Sequence, residues 1–313
     1  MRGPEAPLLL LDCDPGHDDA LAIALAARHS RLLGITTVAG NVPLARTTAN
    51  ALAMCEVLGL GVPVHAGSPA PLVSELRTAE FIHGASGLEG PTPPEHAREV
   101  ASRDAVGFIV ETVRAHPGDV TLVATGPLTN VALALRTAPD IAQKLRAVSI
   151  MGGGIPWGNV TPAAEFNILV DPEAADVVFR AGLPLTMAGL NATHQWMIDQ
   201  THVARLHAAG GRVARFCAEL LEYYGNAYAR AVSGPFEGPL HDPLAVLAVT
   251  HPELVETTAY HVVIELTGTY TRGMTVADLR GDARSAPANV QAITRVEVAA
   301  ATELFIETLE SYG

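Results

Sequence analysis

The chain is poor in positive charge. It holds one lysine, Lys144, and only 20 lysines and arginines together against 33 acidic residues, a formal net charge of −13 over 313 residues. A surface of that sign repels nucleic-acid polymers and anionic membranes, so small neutral substrates and cations are the expected partners. Cysteine is scarce as well. Cys13, Cys55 and Cys217 lie far apart, form no C-x-x-C pair and leave one thiol over from any single bridge. They read as reduced thiols, which places the protein in the cytoplasm. The start, "MRGPEAP", lacks the basic and apolar regions of a signal peptide, and the apolar stretches are too short or too broken by Pro and Gly to span a bilayer. Without an export signal the sequons at Asn159 and Asn191 carry no weight. Repeats, low-complexity runs and linkers are absent too, so residues 1–313 read as a single domain.

What is present is an alternation of strands and helices. "PLLLLD" reads as a buried strand and "DALAIALAARH" as a helix apolar on most faces. "LLGITTVAG" is a second strand. A helix follows, opened by Pro43 and closed by Gly59, and then the short strand "VPVHAG". Residues 66 to about 103 are rich in Gly, Pro and Ser and read as a functional flap. A helix capped by Asp104, the strand "VTLVATG", another helix and the strand "AVSIMGGG" come next; "GNVTPAAEFNILVD" reads as irregular. Further on lie the helix "DPEAADVVFRAG", capped by Asp171, the strand "PLTMAGLN", and helical pattern over 201–230. A helix over "HDPLAVLAVTHP", two strands around the turn in "AYHVVIELTGTYTRGMTVAD" and a closing helix complete the chain. This order predicts an α/β fold, an open and mostly parallel sheet with helices on both faces. Ligands of such sheets sit beyond the carboxyl ends of the strands.

The polar residues fall at those ends. "DCDPGHDD" puts Asp12, Asp14, Asp18 and Asp19 between a buried strand and a buried helix. Crowded carboxylates repel each other and resist losing water, so something must compensate them. Pro15 and Gly16 turn the chain sharply, so Asp14, Asp18 and Asp19 can face one pocket. An all-oxygen cluster suits Ca²⁺ or Mg²⁺ rather than Zn²⁺. Asn41, Thr125, Met151, Asn159, Glu165 and Asn167 follow other strands, and His241 and Asp242 precede a late helix. Each has a plainer reading: Asp18 and Asp19 suit a helix N-terminus, Asp242–Pro243 has the form of a helix cap, and Asn41 and Thr125 suit turns.

The motifs "DCDPGHDDA", "ITTVAGN", "HGASG", "TGPLTN", "MGGG", "AEFN", "DPEAA" and "HDP", in that order over roughly residues 8–280, resemble the inosine-uridine-preferring nucleoside hydrolase family. The resemblance implies the nucleoside hydrolase fold, hydrolysis of the N-glycosidic bond of purine or pyrimidine ribonucleosides, and a bound Ca²⁺. By motif position Asp14, Asp19, Asp242 and the Thr125 carbonyl hold the ion. Asp18, Asn159, Glu165 and Asn167 bind ribose, with Met151 and Phe166 beside them. Asn41 lies next to the attacking water. His83, His241, Tyr224 and Tyr228 lie near the base. The resemblance also implies a homodimer or homotetramer. Two departures stand out: Asn191 occupies a position where Asp is common, with a local hydrogen-bond change expected, and Trp157 adds bulk beside the ribose loop.

The residue types agree with that chemistry. Carboxylates stabilise an oxocarbenium-like ribose, Asp14 can act as general base, and His241 as general acid, with a weak lean toward purines or broad preference. Two rivals remain at this stage. A haloacid-dehalogenase-type phosphatase shares the D-x-D motif, but Gly16 stands where Thr or Val is wanted and Lys144 is the only lysine. A non-catalytic nucleoside sensor on the same fold would need neither base nor acid.

Overall fold

In the computed structural model, described for residues 6–94, 98–280 and 286–312, strand β1 (Leu8–Cys13) shows the period-two logic on which the fold is built. Leu9, Leu11 and Cys13 pack into one helical layer and Leu10 into the other. α1 (His17–His29), β2 (Arg31–Thr37), α2 (Leu44–Val57) and β3 (Val64–Ala66) follow. The expected flap carries a one-turn helix, α3 (Glu80–His83), before α4 (Ala105–Ala115). Then come β4 (Val120–Ala124), α5 (Thr129–Thr137), β5 (Ala147–Met151), α6 (Phe166–Val170), α7 (Pro172–Phe179) and β6 (Leu185–Ala188). The later part holds α8 (Leu190–Thr193), β7 (Met197–Ile198), α9 (Gln200–Ala209), α10 (Arg212–Val232), β8 (Gly238–Pro239) and α11 (His241–Thr250). It ends with β9 (Val255–Tyr260), β10 (Val262–Ile264), β11 (Thr275–Ala277), β12 (Val290–Val296) and α12 (Val298–Glu310).

Eight strands form one sheet in the order β3-β2-β1-β4-β5-β6-β12-β9. All neighbours run parallel except β9, which pairs antiparallel with β12. The order reverses between β1 and β4, whose register sets Asp12 opposite Ala124. A crevice opens at such a reversal because the connections leave to opposite sides. Asp14 and Thr125 sit just past it. The two-strand unit expected around "ELTGTYTRGM" is β10 paired antiparallel with β11.

The helices follow their sequence signals. Ala20 to Ala27 of α1 are all buried, and α1 lies against α11. The Asp104 side chain accepts from Gly107 N (2.8 Å) and caps α4. Asp171 caps α7 through Ala174 N (3.0 Å) and also accepts from Thr129 Oγ1 (2.6 Å) and Leu72 N (2.9 Å), so it ties the flap to the sheet's helical layer. The segment read as irregular contains α6, because the Glu165 side chain caps it from the inside. No helix among the described residues is long and apolar enough to cross a membrane.

Candidate active site

The turn from β1 into α1 is held by one carboxylate. Asp19 accepts from Gly16 N (3.0 Å), Asp14 N (3.3 Å), Asn41 Nδ2 (3.0 Å) and Thr125 Oγ1 (2.7 Å). It therefore ties the ends of β1 and β4, and the segment after β2, to the first turn of α1. Asp14 Oδ2 accepts from Asn41 N at 2.6 Å, while Asp14 Oδ1 is buried with no hydrogen-bond partner. Two glycines frame this carboxylate. A Cβ on Gly40 would lie 2.1 Å from Oδ2, and one on Gly126 would lie 2.5 Å from Oδ1.

Asp12, which the sequence crowds into the same stretch, leaves the cluster. It lies inside β1, one residue short of the strand's end, and Oδ1 is held within the sheet layer, where it accepts from Thr36 Oγ1 (2.5 Å) and Asn130 Nδ2 (2.8 Å). Burial pushes its carboxyl up to about 7. Asp242 takes the vacated place. α11 is capped by Leu240, not by Asp242, whose side chain caps nothing and instead joins the acids. Ligand-capable oxygens of Asp18, Asp19 and Asp242 lie within 4.8 Å of one another, and all three residues are buried.

This grouping is electrostatically unfavourable as it stands. Burial first, and the Asp19 carboxylate next, push Asp18 up to about 8. Burial and neighbouring carboxylates likewise raise Asp14 and Asp242 well above the usual carboxylate range, and burial raises Asp19. A hard cation would resolve the conflict. The donors are all oxygens, and Asp14 Oδ1 is an orphaned buried acceptor beside the group, so the residues fit such an ion. The expected ligands Asp14, Asp19, Asp242 and Thr125 are thus brought together, and Asp18, expected to bind ribose, stands among them.

A cavity of about 430 Å³ opens above the cluster. Asp18, Asn41, Thr125 and Asp242 line it, while Asp14 and Asp19 do not. The segment after β5 contributes Met151, Asn159, Glu165, Phe166 and Asn167. This wall is braced by its own polar groups. Glu165 accepts from Gly153 N (2.9 Å), Asn167 N (2.9 Å) and Ile168 N (3.2 Å), and burial pushes its carboxyl up to about 7. Asn167 Nδ2 donates to the carbonyls of Thr125 (2.7 Å) and Met151 (3.1 Å). Asn159 Oδ1 accepts from Phe166 N (3.0 Å).

The opposite side carries His83, Tyr224, Tyr228 and His241. His83 and Tyr224 stack with centroids 5.9 Å apart. His241 Nδ1 lies 2.7 Å from Thr193 Oγ1, and burial lowers the ring to about 3, so it is neutral at physiological pH. Burial likewise lowers His17 to about 4 and His83 well below the usual range. The sequence reading missed His194, which lines the cavity 5.4 Å from the His241 ring, and the apolar rim of Phe81, Val160 and Val232. The only sequence signal for His194 was its place three residues after the flagged Asn191.

The two departures lie outside the cavity lining. Asn191 Nδ2 donates to the Ile293 carbonyl (2.9 Å) and its Oδ1 is buried without a partner. Trp157 is 46% exposed next to the lining residues Gly158 and Asn159. Lys144 pairs on the surface with Asp140 (2.8 Å), far from the role a phosphatase needs.

The comparisons with known proteins agree with this geometry. The model of the family described as inosine-uridine preferring nucleoside hydrolase matches residues 9–303. The pyrimidine-specific ribonucleoside hydrolase RihA of Enterobacter sp. (strain 638) is 45% identical over 274 residues, covering 86% of this chain and 87% of its own. The pyrimidine-specific ribonucleoside hydrolase RihB of Escherichia coli is 40% identical over 299 residues, covering 95% and 94%. The solved structure of a purine-preferring ribonucleoside hydrolase from Gardnerella vaginalis is similar with a TM-score of 0.92 at 33% identity, covering 97% of this chain and 98% of that one. With the acid cluster, the braced wall and the imidazole side of the cavity all inside the matched span, the chain belongs to the inosine-uridine preferring nucleoside hydrolases, enzymes that cleave the N-glycosidic bond of ribonucleosides.

Proposed function

We propose that the chain is a calcium-dependent hydrolase of ribonucleosides, with pyrimidine nucleosides its main substrates. The observation that carries the metal assignment is the convergence of Asp14, Asp18, Asp19 and Asp242, all buried, where the charges acting on Asp14, Asp18 and Asp242 are other carboxylates of the group. Asp14, Asp19, Asp242 and the Thr125 carbonyl would hold the ion, and a bound Ca²⁺ would supply a fixed positive charge for the ribose diol and Lewis acidity toward water. The pyrimidine assignment rests on the names of the two relatives at 45% and 40% identity. It replaces the lean toward purines drawn from His241.

The protein's own groups divide the remaining work. Asp14 Oδ1, free of protein partners, takes the proton of the attacking water, while Asn41 holds Oδ2 and so fixes the carboxylate plane. Asp18, Asn159, Glu165 and Asn167 accept or donate hydrogen bonds to ribose hydroxyls, with Met151 and Phe166 beneath the sugar. The buried carboxylates favour the positive charge that develops on ribose as the bond to the base breaks. His241, lowered to about 3, is a neutral ring and so acts as a hydrogen-bond partner of the departing base, not as a charged acid. His83, Tyr224 and Tyr228 complete the base side. The enzyme acts on free nucleosides as one catalytic domain, in the cytoplasm, as a homodimer or homotetramer.

The test is base release from uridine, cytidine, inosine, adenosine and 2′-deoxyuridine, before and after EDTA. Release from uridine and cytidine above the purines, little from the deoxy analogue, loss with EDTA and recovery with Ca²⁺ are expected. Binding of uridine in the presence of Ca²⁺ without base release would overturn the catalytic reading.

A further inference from the structure

His17 has no part in the scheme above, yet it is completely buried and packs against His83 and Tyr224 on the base side of the site. Its ring Nε2 lies 2.8 Å from the Glu89 carbonyl. Its backbone N–H donates to His83 Nδ1 at 3.2 Å. Its ring stacks on Tyr223 (5.1 Å, 5°) and on His83 (5.3 Å, 22°). Gly16 makes room for this arrangement, since a Cβ there would lie 2.7 Å from His83 Nδ1.

Donor and acceptor chemistry then constrains the protons. A carbonyl oxygen only accepts, so His17 carries its hydrogen on Nε2. His83 Nδ1 receives a backbone N–H, so it keeps its lone pair, and the neutral ring carries its hydrogen on Nε2. The two Nδ1 atoms also lie 3.1 Å apart, so a hydrogen on His83 Nδ1 would point at the His17 Nδ1 lone pair but would collide with the backbone N–H, which can only donate and is aimed at the same atom; His83 Nδ1 is therefore the acceptor. His83 lines the cavity, and among the described residues its Nε2 has no hydrogen-bond partner.

We propose that His17 is a positioning residue that holds His83 as an Nε2–H donor aimed at the departing base. The inference rests on the reading of the cavity as a nucleoside site. A fixed donor at this place recognises an acceptor atom on the base, where negative charge gathers as the glycosidic bond breaks. It helps a poor leaving group such as uracil and does little for nitrophenolate, which leaves unaided. His17 also ties down the far end of the flap. Gly84 and Gly87 adopt φ of +73° and +86°, a backbone only glycine takes readily, and let the chain fold back so that Glu89 meets His17.

The test compares His17→Phe, which keeps a stacking ring without donors, with His17→Gln, which returns a donor near the position of Nε2. Both are assayed on uridine and on p-nitrophenyl riboside at saturating Ca²⁺. His17→Phe is expected to lower kcat on uridine about 10- to 100-fold, to leave p-nitrophenyl riboside within about twofold, and to be partly rescued by the Gln variant. Nitrogen-15 spectra of the wild type should show His83 protonated at Nε2 alone, and His17→Phe should mix the tautomers. Equal losses on both substrates, or no loss on uridine, would overturn the positioning role. A wild type inactive on both substrates would instead overturn the nucleoside reading, and this inference with it.

Discussion

Replacing Gly40 by alanine tests whether the placement of Asp14 governs the reaction. The added Cβ would lie 2.1 Å from Asp14 Oδ2, and Pro127 Cδ, 2.8 Å away, blocks retreat on another side. Real Cβ contacts do not fall below 3.0 Å, so the carboxylate or the backbone must move by the difference of 0.9 Å. That movement breaks the 2.6 Å bond from Asn41 N, a hydrogen bond to a charged group worth about 1.5–3 kcal/mol. It also shifts Oδ1, the atom proposed to take the proton of the attacking water. A misplacement of about 1 Å costs on the order of 100-fold in rate, or about 2.7 kcal/mol of activation free energy. Gly126→Ala presses on the other oxygen from 2.5 Å, a smaller overlap of 0.5 Å against the same limit, so its loss should be smaller. The control is Gly59→Ala. Gly59 has φ of +62° and nothing within 4 Å of an added Cβ, so that variant should lose about 1 kcal/mol of stability and no activity. The assays are kcat/KM on uridine, Ca²⁺ affinity by titration, and thermal unfolding. A folded, Ca²⁺-loaded Gly40→Ala protein with kcat within twofold of wild type would refute the reasoning.

Further outcomes follow from the electrostatics. EDTA leaves the buried carboxylates uncompensated, so it should lower Tm by about 10 °C, reversed by Ca²⁺, and an unchanged melting curve would remove the ion from the fold. Asp242→Asn should cut base release about 100- to 1,000-fold and weaken Ca²⁺ binding; unchanged Ca²⁺ affinity would exclude Asp242 as a ligand. His29, beside Thr308 Oγ1 at 2.7 Å, is lowered to about 4, by burial first and then by His251 and Arg28. Its folded-state pKa lies below the unfolded value of 6.5, so the unfolded chain binds the proton more readily. Stability should therefore be full above pH 6.5 and fall between pH 6.5 and 4, and urea unfolding of His29→Gln should show a shallower loss over that window; equal slopes would dismiss the effect.

The sequence made the repetitive parts of this fold readable because one helix or strand face carries one signal. β1, α1, β4 and β5 are apolar runs bounded by turn residues, and burial follows them closely. β9 and β12 escaped that reading. β9 is an edge strand whose central residues Glu256 to Ala259 are exposed, so no apolar pattern marks it. Asp242 illustrates a local signal overruled by tertiary structure. Asp-Pro has the form of a cap, but burial beside Asp18 and Asp19 recruits the side chain into the cluster. His17 and His194 were invisible for a different reason. Their meaning lies in partners brought near by the fold, Glu89 at 72 positions away in the case of His17.

The opening turn of α1 explains why sugar chemistry and base recognition can be coupled in this site. Gly16 lets His83 approach, His17 faces the base side, Asp18 faces the cavity, and Asp19 ties together β1, β4 and the segment after β2. After the Gly16 cap, the three consecutive helical residues point in three directions, about 100° apart. A single rigid turn can therefore address the ion, the ribose and the base without a moving part between them. The N-terminal position of the turn adds a second benefit, because the helix dipole favours negative charge at Asp18 and Asp19 and offsets part of their repulsion. Lengthening the elbow by one residue would rotate all four at once. An insertion between Pro15 and Gly16 should thus lose Ca²⁺ binding and base selectivity together, whereas a site built from independent loops would lose one and keep the other.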